Sequence, residues 1–345
     1  MAAISVRPGA SPIQLPHVEL TLEQVEIAGM RVRLGHAVPR RGATHGTAVI
    51  LTGRAEFIEK YRETVSDLIG RGFAVAIFDW RGQGGSDRFP GHGQRGHVPR
   101  IEDYLDDLAA VLGRLERLRL PQPWLMLAHS MGGHVGLRQL AREPGRFAGA
   151  ALLAPMFGIR LPLLPRPLAQ AICWVAIGMG AGPRYAPGQR DHDRALPSFA
   201  RNKLTSCPEH FADYLRLVQT APELTVGGVT YAWLAASLRS IALIHARGFP
   251  ESITAPILVC QAGEERIVSN RAIIHLTGRL PRGRLLVFPG ARHELLRERA
   301  AIRSRLLDAF SGFAQEIGSG FAQEIGTGAA QEAGVGFARE INPPA

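Results

Sequence analysis

Cysteine, lysine and long apolar runs are all scarce in this 345-residue chain. The three cysteines, Cys173, Cys207 and Cys260, are odd in number and form no Cys-x-x-Cys pair. This argues against a disulfide framework and against zinc-ribbon spacing, and it fits a reducing compartment. Lys60 and Lys203 are the only lysines among 40 basic residues, which outweigh 30 acidic ones to give a net charge of +10. The arginines are spread evenly, with no dense basic run interleaved with aromatics, so a nucleic-acid partner is not expected. A basic surface of this kind still favours an anionic membrane surface or a phosphate-bearing substrate. No apolar run reaches the roughly 18 residues of a membrane span. The nearest, residues 168–181, follows Pro165 and Pro167 and reads as a buried or interfacial helix. No continuous apolar stretch follows Met1, so no secretory leader is expected. The expected location is the cytoplasm, with peripheral contact at the inner membrane.

What the chain does have is a regular alternation of strand and helix patterns. Residues 1–17, with Pro8, Pro12, Pro16 and Gly9, read as an irregular arm. Residues 18–27 and 30–38 form a hairpin. Residues 47–51 (TAVIL), 73–78, 123–129 and 149–153 read as buried strands, separated by helices at 57–71, 101–118 and from 131. The stripe Tyr104, Leu105, Leu108, Val111, Leu112 and Leu115 marks the second of these helices. The alternation predicts an α/β class with a mostly parallel, doubly wound sheet, and ligands bound beyond the carboxyl ends of the strands. The first part of this core spans residues 18–154. Between 155 and 251 the rhythm breaks into a proline-rich segment with apolar helical stretches at 168–177 and 231–244, read as an inserted helical cap. Strand–helix alternation resumes over 252–312. The tail, 313–345, carries an octapeptide repeat: Ser311-Gly-Phe-Ala-Gln-Glu-Ile-Gly318 recurs at 319–326 and then degenerates. A period of eight with two glycines per unit does not sustain a helical stripe, so disorder or loose packing is expected there.

The stretch Leu125-Met-Leu-Ala-His-Ser-Met-Gly-Gly133 is the chemical centre of the sequence. A buried strand, a serine and a new helix make an elbow that holds a hydroxyl exposed at the top of a sheet. Ala128, Gly132 and Gly133 are small enough for strand and helix to pass closely. A serine hydroxyl needs a base, usually a histidine oriented by a carboxylate, and in this sheet type the chain order is serine, acid, histidine. After the cap, the strand ending at Ala262 leads into Gly263-Glu264-Glu265, and the strand ending at Phe288 leads into Pro289-Gly-Ala-Arg-His293. Ser130 and His293 are therefore the expected nucleophile and base. Glu265 is the chosen acid, with Glu264 its alternative. His129 should point away from Ser130 along the strand. His134, His275, His92 and His97 read as packing or loop residues. Acyl transfer also needs two donors for the oxyanion: the main-chain N–H of Met131, and that of Arg54 in the loop after residue 51.

These segments together resemble the α/β-hydrolase superfamily, and within it the bacterial lysophospholipase L2 and monoacylglycerol-lipase-like serine hydrolases. The resemblance rests on Leu51-Thr-Gly-Arg-Ala-Glu-Phe-Ile-Glu-Lys-Tyr61, Asp79-Trp-Arg-Gly-Gln-Gly, Ala128-His-Ser-Met-Gly-Gly133, Glu265-Arg-Ile-Val-Ser-Asn270 and Pro289-Gly-Ala-Arg-His-Glu294, and it covers about residues 18–312. It implies an α/β-hydrolase fold with a lid, Ser130, His293 and Glu265 as the triad, Arg54 and Met131 as oxyanion donors, and a mainly structural loop at Asp79. Two positions depart from the family pattern. Many relatives have aspartate where Glu265 stands, and Thr52 replaces a histidine beside Gly53. The expected reaction is hydrolysis of a lysophospholipid ester, or alternatively of a monoacylglycerol or another carboxylic ester, with no metal or cofactor. In the cap, Leu168, Ile172, Trp174, Val175 and Trp233 are expected to hold the acyl chain.

Overall fold

The computed structural model describes residues 6–8, 11–16, 18–161, 165–192 and 198–335. The chain opens with short strands β1 (Val6–Pro8) and β2 (Ile13–Gln14), followed by the hairpin β3 (Glu19–Ile27) and β4 (Met30–Ala37). Strand β5 (Thr47–Leu51), helix α1 (Arg62–Gly70), β6 (Ala74–Phe78), α2 (Glu102–Arg117), β7 (Trp124–His129), α3 (Met131–Arg142) and β8 (Gly149–Leu153) follow. Three helices then intervene, α4 (Arg166–Gly178), α5 (Pro208–Thr220) and α6 (Tyr231–His245). The core resumes with β9 (Ile257–Ala262), α7 (Asn270–Thr277), β10 (Gly283–Phe288) and α8 (Ala300–Val335).

The strands form one sheet in the order β1-β3-β4-β6-β5-β7-β8-β9-β10, with β2 paired to β3. The stretch from β6 to β10 is parallel, and the hairpin extends it antiparallel. Side chains alternate across each buried strand, so β5 sends Ala48 and Ile50 to one core and Val49 and Leu51 to the other. One core lies under α2, α3 and α7, the other under α1 and α8. The chain leaves β5 toward β6 on one side and returns to β7 on the other, so the strand order reverses between β5 and β7. A crevice opens at such a switch point. Register sets what faces it: Leu51 is level with Ala128, and Ala262 with Phe288.

The structure corrects the sequence reading in three places. The N-terminal arm is not wholly irregular, because Val6 and Ile13 enter strands paired to β3; residues 1–5, 9, 10 and 17 lie outside the described residues. The cap contains α5, begun by Pro208 at a helix position where the missing N–H costs nothing. The repeat tail is not loose at its start. Helix α8 continues to Val335, Phe313 and Ala314 are buried, and the Arg284 guanidinium lies 5.3 Å from the Phe313 ring. Gly149 at the head of β8 makes the room, since a Cβ there would lie 2.3 Å from Ile317 Cδ1 and 3.1 Å from Phe313 Cζ. The last repeat residues, 336–345, lie outside the described residues.

Phe313→Ala is therefore expected to destabilise the protein by about 3 kcal/mol, the usual cost of truncating a buried phenylalanine. Urea unfolding with an unchanged m-value would measure it; a loss below about 0.5 kcal/mol would mean that the first repeat unit does not pack.

Candidate active site

At the carboxyl end of β7 the backbone turns sharply through Ser130, with φ 51° and ψ −112°. A non-glycine residue in this region is strained, by about 1–3 kcal/mol, and is held there by its surroundings. The Ser130 N–H donates to the Leu153 carbonyl (2.9 Å), and its carbonyl accepts from Met156 N–H (2.9 Å). Helix α3 starts at once and passes over the end of β5. A Cβ on Gly132 would sit 2.3 Å from the Leu51 carbonyl oxygen and 2.6 Å from that of Thr52, so only glycine fits.

Two loops from the far side of the cap insertion reach this elbow. His293, after β10, directs Nε2 to Ser130 Oγ at 2.9 Å and Nδ1 to Glu265 Oε2 at 2.7 Å. Glu265 Oε1 accepts the N–H groups of Ile267 (2.7 Å) and Val268 (3.2 Å). Burial alone would lift the Glu265 carboxyl, but the hydrogen bond and charge of His293 and these N–H donors bring it below the ordinary carboxylate range. Glu264 is exposed and meets the loop only through its backbone, donating to the Ala291 carbonyl. Arg54 follows β5, and Met131 follows Ser130. Among the described residues no acceptor takes either main-chain N–H.

Ser130 and His293 line a cavity of about 1170 Å³ roofed by the helices between β8 and β9. Of the five cap residues expected to hold an acyl chain, Ile172 and Trp233 line it, joined by Met156, Ile159 and Ala169. Leu168, Trp174 and Val175 do not. They are 48%, 59% and 62% exposed, on the outer face of α4. The small residues Ala169, Cys173 and Ala176 form the buried stripe of that helix, which turns its bulky residues outward.

The cavity also holds an isolated cation. The Arg54 guanidinium donates from Nη1 to the Gly227 carbonyl (2.8 Å) and lies 5.9 Å from the Trp233 ring. Among the described residues no carboxylate pairs with it, and burial lowers its proton affinity. Three other polar side chains raised by the sequence have partners inside the fold. Asp79 is buried in a network with Arg33 (2.6 Å), which also grips Glu59 (2.6 Å). His134 hydrogen-bonds Ser240 Oγ (2.6 Å), and burial pushes it down to about 3. His97 hydrogen-bonds Thr230 Oγ1 (3.0 Å). Sequence reasoning turned His129 away from Ser130 but passed over its companions, the buried side chains Glu56, Lys60 and Glu294 behind the elbow. The signal was present: Glu56 and Lys60 stand four apart between apolar residues directly after β5. Among the described residues no group of three or more His, Cys, Asp or Glu side chains could hold a metal ion.

Comparison with known proteins matches residues 42–300 to the family described as serine aminopeptidase, S33. The chain is 39% identical over 278 residues to lysophospholipase L2 of Escherichia coli (strain K12), covering 77% of this chain and 79% of that protein. It is 30% identical to a probable lysophospholipase L2 of Haemophilus influenzae, covering 81% of this chain and 86% of that one. Among solved structures, a soluble variant of monoglyceride lipase from Saccharomyces cerevisiae, in complex with a substrate analog, superposes with a TM-score of 0.70 at 16% identity, covering 90% of this chain and 99% of that one.

Because a methyl group at Gly132 would collide with two backbone oxygens, Gly132→Ala is expected to cost about 1–3 kcal/mol, read as a lowered thermal midpoint. An unchanged midpoint would show that α3 has room to move away from β5.

Proposed function

The chain belongs to the serine aminopeptidase S33 family of α/β hydrolases, and from that premise we propose that it is a lysophospholipase, a serine hydrolase that releases a fatty acid from the carboxylic ester of a lysophospholipid. The observation that carries this is the hydrogen-bonded chain from Glu265 through His293 to Ser130, opening on a cavity large enough for a single acyl chain. Ser130 Oγ attacks the acyl carbonyl while His293 Nε2 takes its proton, and Glu265 orients the ring and stabilises its charge. The N–H groups of Arg54 and Met131 receive the oxyanion. His293 then protonates the leaving alcohol. A water, deprotonated by the same ring, splits the acyl-serine and frees the fatty acid.

Two further observations support a lysophospholipid. A partly buried guanidinium without a counter-charge is costly, and a headgroup phosphate in the cavity would supply that charge at Arg54. The exposed outer face of α4, with Leu168, Trp174, Val175, Ile177 and Met179, suits contact with a lipid surface, as does the basic balance of the chain. No helix of the described residues is long and apolar enough to cross a membrane; the proposed contact is peripheral, from the cytoplasmic side of the inner membrane. A monoacylglycerol lipase or general carboxylesterase would use the same catalytic groups, the Arg54 N–H among them, and would bring no charge to the Arg54 guanidinium.

Fatty-acid release from lysophosphatidylcholine and monoacylglycerol of equal chain length separates these readings. Wild type is expected to prefer the lysophospholipid. Ser130→Ala should lose activity on both substrates by several orders of magnitude. Arg54→Leu, which keeps the main-chain donor, should raise KM for the lysophospholipid about tenfold and leave the neutral lipid unchanged. Equal wild-type rates on both lipids would retain the hydrolase and discard the phosphate argument. For the acid, Glu265→Gln is expected to lower kcat by about 10³-fold or more and Glu264→Gln by less than about threefold; the reverse order would move the role to Glu264.

A further inference from the structure

His129 precedes the nucleophile, and its ring lies in the buried cluster behind the elbow. Both ring nitrogens meet oxygens that accept. Nδ1 is 3.0 Å from Glu56 Oε2, and Nε2 is 3.0 Å from the main-chain carbonyl of His293. A neutral imidazole has one N–H and one lone pair, so either tautomer would aim a lone pair at an oxygen. Glu56 Oε2 also accepts from Gly53 N–H and from Tyr61 O–H (2.6 Å), donors that favour the ionised carboxylate over the acid, so the shared proton belongs on His129. Only the doubly protonated ring satisfies both partners.

Charge balance gives the same answer. From the loop and helical turn after β5 the cluster receives Glu56, Lys60 and Tyr61, and from the loop after β10 it receives His293 and Glu294. Tyr214 of α5 covers Lys60, with its ring 5.0 Å from Nζ. Arg297 is bound outward to the Lys60 carbonyl and to Asp213. Lys60 Nζ lies 2.8 Å from Glu294 Oε1 and 3.5 Å from Glu56 Oε1. Two carboxylates against Lys60 alone would leave a buried negative charge; His129 as a cation cancels it.

We propose that His129 is an imidazolium at neutral pH, and that its pair with Glu56 is a positioning unit locking the oxyanion loop and the catalytic histidine into one register. The proposal rests on the assignment of Ser130 and His293 above. Glu56 holds Gly53 N–H, the peptide next to the Arg54 donor, while His129 holds the backbone of His293. Gly53 lies directly on the pair: a Cβ there would be 2.7 Å from Glu56 Oε2 and 2.9 Å from His129 Nδ1. Burial opposes the charge on His129, but Glu56 outweighs it and raises its proton affinity; His129 and Lys60 in turn hold Glu56 well below the carboxylate range despite burial. Since that affinity is raised on folding, the pair stabilises the fold below the ordinary histidine range, and the contribution fades as pH climbs through the raised value.

The ring centroids of His129 and His293 are 4.7 Å apart, so the charge state is readable in catalysis. In His129→Gln the cluster gains net negative charge, which favours protonation of the neighbouring base. The acidic limb of kcat/KM should then move up by about one pH unit. Glu56→Gln should not move it up, and the double variant should return it toward wild type, because charge has then been removed as a pair. Both single variants should lower kcat on the order of tenfold or more with little change in KM. An unmoved limb in His129→Gln would mean a neutral ring and overturn the proposal. A second readout needs neither a variant at the site nor turnover: nitrogen-15 histidine NMR. It is done on His210→Gln, because His210 also lies between two acceptors, the Arg297 carbonyl (3.0 Å) and Glu63 (2.8 Å). One ring should keep both N–H signals near pH 8.5, about two units above the ordinary histidine value. Their absence would overturn the proposal whether or not the protein hydrolyses lipids, and their presence in a protein inactive on lipids would separate this claim from the hydrolase reading.

Discussion

The passage of α3 over the end of β5 is the constraint on which the rest of the site depends. Two backbone segments approach so closely at Gly132 that no side chain fits between them. That approach puts Ser130 into a left-handed conformation and aims the start of α3 at the loop carrying Arg54. Ser130 and Arg54 thus stand at one crevice because two parallel strands end level, not because any side chain draws them together. The same holds on the other side, where the equal lengths of β9 and β10 bring Glu265 and His293 to a common height.

Electrostatics then divides the interior into paired and unpaired charge. Arg33 is fully occupied by Asp79 and Glu59, and Lys60 by Glu294 and Glu56. These networks sit beneath the loops that form the crevice and hold them by hydrogen bonds to backbone groups such as Gly53, Ile58 and Gly85. Arg54 breaks the pattern. Its guanidinium faces the cavity and, among the described residues, meets a main-chain carbonyl and the Trp233 ring instead of a carboxylate.

Much of this was legible in the sequence because it is written in local patterns. The strand TAVIL is apolar at every position after its opening threonine, and β5 is buried at every position. The elbow is a short-range conformation announced by small residues around one serine, and the serine, acid and histidine follow in the chain order that such a sheet imposes. What escaped notice depends on which face of an element meets which neighbour. The apolar positions of α4 repeat at helical spacing whichever side is buried, so Trp174 and Val175 looked like lining although Ala169, Cys173 and Ala176 form the buried face of this helix, which packs beside α6. Glu56 and His129 are far apart in the chain, and nothing in either neighbourhood announces the other. The first octapeptide unit packs because of Gly149, more than 160 positions away in sequence, which no period count includes.

The chain order of the crevice bears on the life of the protein before it is finished. The elbow, Arg54 and Met131 all lie in the first half of the sequence, whereas Glu265 and His293 arrive on the last two strands, after the whole helical insertion has been made. A nascent chain extruded as far as residue 250 carries the serine but neither its base nor the acid, and β9, the neighbour of β8, does not yet exist. The hydrogen-bonded chain from Glu265 through His293 to Ser130 is therefore absent until the last strands have been made. Pairing of β9 to β8 and of β10 to β9 is what carries both partners to the serine, so the site is a product of the completed sheet and of no earlier stage.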